Sequence, residues 1–196
     1  TLSVFAPVAM NPAILNGAFL GSGVGVTGST SFTVAGLSFG AAHADRWLIA
    51  AIASMESFGT TPSVTIGGNA ASSVALRNTT LGINVNVSIF KALVPTGTSG
   101  DVVVSGAGLN PPYGSVGLYR IIGKTIGATI GGAGGGSSVD VALSALAGDF
   151  LIAIAAARGA SAPDAPTSVA FSGGPTEDYE GNISGQNGRG GGASYK

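Results

Sequence analysis

No cysteine occurs anywhere in the chain. That excludes disulfide staples, thiolate nucleophiles and sulfur-ligated metals, and it leaves the redox compartment unreadable. Charge is also scarce: Asp, Glu, Lys and Arg together make up 9% of the residues, against about 25% in an ordinary soluble domain. The eight Lys and Arg are scattered singly and the net charge is −1. No basic stripe exists to neutralise a phosphate backbone, which argues against nucleic acid as a partner. Long hydrophobic runs are missing too. The two longest, 47–53 and 150–157, fall far short of the roughly 20 residues that span a bilayer, so no membrane partner is expected. The N-terminal Thr1-Leu2-Ser3-Val4-Phe5-Ala6-Pro7 lacks both the positive segment of a secretory signal and an initiator methionine, which points to processing or trimming.

What the chain does have is glycine, 34 residues of it, together with a hydrophobic content of 45%. The glycine follows no three-residue period, so collagen is excluded, and the apolar content is too high for a disordered chain. A chain of 196 residues has ample material for a core in one large domain or two small ones. Interspersed charge is what keeps free monomers apart in solution. With so little of it, the outer surface is either polar and uncharged or covered by other subunits.

The apolar segments read as strands. Asn84-Val85-Asn86-Val87-Ser88-Ile89 alternates, with Val85, Val87 and Ile89 facing in and Asn84, Asn86 and Ser88 facing out. Ser63-Val64-Thr65-Ile66 alternates as well, and Gly67-Gly68 then makes a hairpin turn into 70–76. Further strands are expected at 14–20, from Phe32 towards Phe39, at 102–104, and at 116–122 with Arg120 as an inward exception near its end. Val139, Val141 and Leu143 alternate in the same way. Two segments are nearly continuous: Arg46-Trp47-Leu48-Ile49-Ala50-Ala51-Ile52-Ala53-Ser54-Met55-Glu56 and Asp149-Phe150-Leu151-Ile152-Ala153-Ile154-Ala155-Ala156-Ala157-Arg158. In the second, Phe150, Ile152 and Ile154 share a face suited to a core. Leu151, Ala153, Ala155 and Ala157 share a small face suited to close packing under another sheet, loop or subunit.

These two segments head an internal repeat. Leu48-Ile49-Ala50 matches Leu151-Ile152-Ala153, Pro62 matches Pro166, Ser63-Val64-Thr65-Ile66 matches Ser168-Val169-Ala170-Phe171, and Gly67-Gly68 matches Gly173-Gly174. Ser88-Ile89-Phe90-Lys91 also matches Ala193-Ser194-Tyr195-Lys196. The expected fold class is therefore all-β: an antiparallel β-sandwich, jelly-roll-like or Ig-like, with a partial internal duplication. Residues 1–30 are expected as an extended arm and Gly-rich loop, and 31–196 as the sandwich, with repeat halves near 31–122 and 137–196. The second copy ends without counterparts to the strands at 102–122. Either the chain was cut, or a neighbouring chain completes that sheet by strand addition.

Several motifs invite a chemistry. Gly36-Leu37-Ser38-Phe39-Gly40 fits the nucleophile elbow G-x-S-x-G, with His43 and Asp45 nearby, but the elbow needs a helix after the Ser and a base from a distant loop. Gly23-Val24-Gly25-Val26-Thr27-Gly28 fits G-x-G-x-x-G, yet a strand follows where the pyrophosphate-binding helix should open. Glu177-Asp178-Tyr179-Glu180 is the one acidic cluster, read as a solvated turn before a hard-cation site. Asn78-Thr79-Thr80, Asn86-Val87-Ser88 and Asn182-Ile183-Ser184 fit the glycosylation pattern, and Arg189-Gly190-Gly191 is a single RGG, too little for RNA. No catalytic, cofactor-binding or metal-ligating residue is assigned, and no cofactor is expected.

Arg46-Trp47-Leu48-Ile49-Ala50, Thr61-Pro62-Ser63-Val64-Thr65-Ile66-Gly67-Gly68-Asn69-Ala70 and Ile89-Phe90-Lys91-Ala92-Leu93-Val94-Pro95-Thr96-Gly97-Thr98 resemble β-sandwich virion proteins of tailed bacteriophages and prophages. The resemblance covers roughly residues 30–122. It implies a non-enzymatic structural protein located in the virion, decorating or cementing the capsid surface. Its partners would be other copies of itself, in a homo-oligomer, and major capsid or other virion proteins. The alternative is a carbohydrate-binding or adhesin module of a head or tail fibre with a host glycan as ligand, for which Tyr113, Tyr119, Tyr179 and Tyr195 are the candidate aromatic platform.

Overall fold

The computed structural model describes residues 2–5, 17–27, 30–54, 61–79, 85–106, 113–123, 126, 133–134, 150–158, 168–172, 175–183 and 188–195. Among them every regular element is a strand: β1 (Leu2–Phe5), β2 (Ala18–Val24), β3 (Val26–Thr27), β4 (Ser31–Ser38), β5 (Arg46–Ser54), β6 (Ser63–Ile66), β7 (Asn69–Thr79), β8 (Val85–Leu93), β9 (Ser99–Ser105), β10 (Gly114–Ile122), β11 (Ala133–Gly134), β12 (Leu151–Arg158), β13 (Thr176–Ile183) and β14 (Gly188–Tyr195). All pairings are antiparallel. The fold is all-β and sandwich-like, as the alternation predicts. The alternating stretch at 139–143 and the Gly173-Gly174 pair lie outside the described residues.

The strands form a nine-stranded sheet, β2-β10-β5-β8-β7-β6-β9-β4-β3, and a five-stranded sheet, β11-β1-β12-β14-β13. The larger sheet turns back on itself at β7. Residues 69–71 pair with β6, residues 72–79 pair with β8, and the register shifts between Ser73 and Ala75, the local kink that an irregular ladder introduces. One core fills this fold-back: Phe32, Val34, Leu48, Ile52, Phe90 and Val102 are among its members. A second core lies between the β5 wall and the smaller sheet, built from Ile49, Ala51, Val87, Tyr119, Ile152 and Ile154 among others.

β5 therefore divides two cores. Leu48, Ala50 and Ile52 point into the first, Ile49, Ala51 and Ala53 into the second. Strands buried on both faces read as continuous apolar runs because neither set of alternate positions meets water. The neighbouring β8 follows suit: Val85, Val87 and Ile89 are in the second core, but Asn86 and Ser88 are buried as well. The expected outward face of β8 is thus an inner face, because the folded-back wall covers it.

Glycine sets how closely the layers meet. On β2, a Cβ added at Gly23 would strike Val34, and one added just after the strand at Gly25 would strike Phe32. The bare face of β2 lets β4 lie directly against it. Between the two sheets, the Tyr179 ring of β13 sits where Cβ atoms at Gly117 of β10 and Gly192 of β14 would be. Its hydroxyl donates to the Ala51 carbonyl of β5 at 3.2 Å. Tyr179 also stacks on Phe19 (5.9 Å, 4° between planes), which tilts against Tyr119 (5.3 Å).

The repeat is visible in the strand order. β8 pairs β5 and β7 in the larger sheet just as β14 pairs β12 and β13 in the smaller. The register shifts in β7 between Ser73 and Ala75, and in β13 between Glu177 and Tyr179. Ser168–Phe171, matched by sequence to β6, forms no strand. It covers the outer face of the smaller sheet instead, where Val169 and Phe171 lie over Gly191.

Tyr179→Phe is expected to cost about 1 kcal/mol, the net worth of one hydrogen bond. Gly117→Ala should cost about 1–3 kcal/mol by forcing the ring aside. Burial above all pushes the Tyr119 and Tyr179 hydroxyls well above their ordinary value. Their contribution is present below a pH of about 10, where the unfolded phenols are neutral, and is lost as pH rises beyond it. Denaturant midpoints measured from neutral to strongly alkaline pH check both points: stability should fall above pH 10, less steeply in Tyr179→Phe.

Candidate functional site

Arg46 opens the central strand and is completely buried. Among the described residues its guanidinium forms no ion pair with a carboxylate. Nε donates to the Val94 carbonyl at 2.7 Å, Nη1 to those of Phe39, Gly40 and Ala41 at 3.2, 3.1 and 2.9 Å, and Nη2 to those of Thr96 and Gly97 at 2.6 and 2.8 Å. A planar fork with five N–H donors is the one side chain that can satisfy such a ring of carbonyls. Burial, and then the Arg120 guanidinium, pull the Arg46 pKa down from its ordinary value. Arg120 is half-buried beside Gly40 near the end of β10, the inward exception expected of it. The Phe39 ring lies 5.8 Å from the Arg46 guanidinium carbon and rests on Gly67 and Gly100. One cation thus ties together the loop before β5, the loop after β8 and the β6–β7 hairpin.

The elbow motif belongs to this end of the sheet. Gly36 and Gly40 have φ of 68° and 67°, the left-handed region that favours glycine. Gly36 lies in the register shift between Val34 and Leu37 of β4, and its N–H donates to Asp101 Oδ1 at 2.9 Å. Ser38 Oγ accepts from the Gly40 N–H, and His43 Nδ1 accepts from the Asp45 N–H. Both groups serve local turns, and the next element is strand β5. The Gly23 and Gly25 of the dinucleotide-like motif are taken by the β2–β4 contact.

The other sequence candidates separate. Tyr119 and Tyr179 are buried and Tyr113 packs against the second core, so these three form no exposed platform; the Tyr195 side chain lies outside the described residues. The acidic cluster is on strand β13, not on a turn. Glu180 accepts from the Val169 N–H at 2.6 Å and pairs with Arg189 at 3.4 Å, holding the 168–172 segment over the sheet. Among the described residues no three His, Asp or Glu gather as a metal site. Asn86 of the second sequon is fully buried, and Asn182 of the third is exposed on β13. Sequence reasoning did not find a buried polar row on β5 and β8. Ser54 stands opposite Asn86, Ser88 lies opposite Ile52, and the side chains of all three polar residues have no hydrogen-bond partner.

The remaining chemistry is that of sheet edges, where backbone donors and acceptors are available for pairing. In the larger sheet β10 lies beside β5. In the smaller sheet the corresponding edge of β12 is taken by β1, with Leu2, Ser3, Val4 and Phe5 opposite Ala157, Ala156, Ala155 and Ile154. The strand beside β12 thus comes from the chain's own N-terminal segment. β11 pairs with Leu2 and Ser3 of β1. At the far side, β13 presents Glu177 and Glu180, charges of the kind that blunt an edge.

Arg46→Met should lower the unfolding free energy by about 3 kcal/mol, since it strands buried carbonyls, and Arg46→Lys by about 2 kcal/mol. Ser38→Ala should stay within about 0.5 kcal/mol. Urea unfolding of the three variants measures this ordering. No family model, curated protein or solved structure matches the chain.

Proposed function

We propose that the chain is a non-enzymatic structural protein of a bacteriophage virion that decorates the capsid surface and cements neighbouring subunits. The observation that carries this reading is how the smaller sheet is closed. Its central strand β12 is completed by a strand from the opposite end of the sequence, so backbone pairing at a sheet edge is already the means by which distant segments are joined. Strand addition of that kind gives affinity through main-chain hydrogen bonds and needs no catalytic or charged groups.

The surface supports the same role. Val24 and Leu93 are the exposed large hydrophobic residues among those described, while the exposed positions of β6, β7 and β9 include Ser63, Ser72, Ser73 and Ser99. Contacts with neighbours would then be made by backbone and hydroxyl groups over a broad area, adding stability to a shell under internal pressure. The double-cored body is a rigid element on which such contacts can be held. The glycan-binding alternative loses support, because Tyr119 and Tyr179 are consumed inside the fold.

Quantitative mass spectrometry of purified particles of the phage or prophage that encodes the chain tests the proposal. The expected result is the chain in the particle at a copy number on the scale of the shell lattice. A copy number limited to a few would move it to a fibre or tail tip, and absence from the particle would overturn the proposal.

A further inference from the structure

We propose that β1 is an exchangeable strand: at high local concentration it leaves its own β12 and adds to β12 of a second copy of this chain. The inference deepens the assembly reading above by naming the partner and the segment it receives. Two observations lead to it.

The first is the economy of the joint. β1 is four residues long, and its pairing lies with β12 along its whole length and with the two-residue β11 along half of it. A second copy offers the same β12 edge in the same register, so exchange swaps one set of backbone hydrogen bonds for an identical set.

The second is reach. Phe5 stands opposite Ile154, and Gly17, just before β2, lies against the Phe150 ring. Four residues of strand and one inter-strand step separate these points, a span of about 20 Å. The intervening residues 6–16 can extend to about 40 Å. The slack lets β1 reach a neighbour while β2 keeps its place beside β10.

Intramolecular pairing still wins in dilute solution, because a short tether acts like a partner at millimolar concentration. Exchange prevails where subunits are crowded at or above that level, as on a lattice. Reciprocal exchange closes a dimer, and head-to-tail exchange runs on as an open chain of subunits.

The absence of cysteine makes the test direct. Ser3 and Ala156 are opposed residues, so Ser3→Cys in one chain and an affinity-tagged Ala156→Cys in another join above the level of random collision when β1 of the first pairs with β12 of the second. The two are mixed at about 1 mM, oxidised, and run on a non-reducing gel. The double variant in one chain, oxidised at micromolar concentration, is the reference, and Ser3→Cys mixed with Ser72→Cys reports random collision. The expected result is a disulfide-closed monomer for the double variant and a tagged cross-chain disulfide in the mixture at least tenfold above the collision level. A cross-chain yield no higher than collision overturns the exchange, and failure of the double variant to close overturns the β1–β12 pairing on which it stands. The measurement uses purified chain alone, so its failure is distinct from absence of the protein from virions.

Discussion

Everything in this molecule is arranged around a strand that may not show either face to water. β5 must fill the first core with Leu48, Ala50 and Ile52 and the second with Ile49, Ala51 and Ala53. Its neighbours inherit the demand. β8 and β10 are buried across nearly their whole length, and a wall is needed on each side. The folded-back half of the larger sheet provides one and the five-stranded sheet provides the other. Each wall buries apolar area worth about 25 cal/mol per Å², so neither half is an independent appendage. The small alanines of β5 are the compromise that lets two layers approach the same strand.

Arg46 sits where that arrangement would otherwise open. The end of a folded-back sheet leaves loop carbonyls turned inward, and buried carbonyls without donors are costly. The five N–H groups of a guanidinium reach six of them, with Nη1 sharing its two hydrogens among three carbonyls. Arg120 at the same end raises the electrostatic cost of the arrangement. The opposite end of the inner core carries the polar row of Ser54, Asn86 and Ser88, whose side chains have no hydrogen-bond partner among the described residues.

Alternation and turn chemistry made much of this readable in advance. The hairpin at Gly67-Gly68 has φ of 57° and 78°, as a two-residue turn of that kind requires. The core face of Phe150, Ile152 and Ile154 follows from period two. What could not be read was long-range pairing. Backbone hydrogen bonds carry no side-chain signature, so nothing in Leu2–Phe5 announces a partner at Ile154–Ala157. Nor does period two tell whether the polar set of a strand such as β8 meets solvent or a second wall. Arg46 and Tyr179 were hidden for a related reason. A single Arg before an apolar run and a Tyr among acids look like surface residues until the loops and glycines that receive them are placed.

The glycines around Tyr179 carry one more consequence. Where the layers are lined by Gly117, Gly190 and Gly192 there are no side chains of their own to interlock. Tyr179 passes through the gap between Gly117 and Gly192 and is fastened to β5 at its tip, acting as a dowel against shear. The peg and its two holes work as a single unit: a side chain larger than glycine at position 117 or 192 leaves no room for a tyrosine ring at 179, though the three positions are far apart in the sequence.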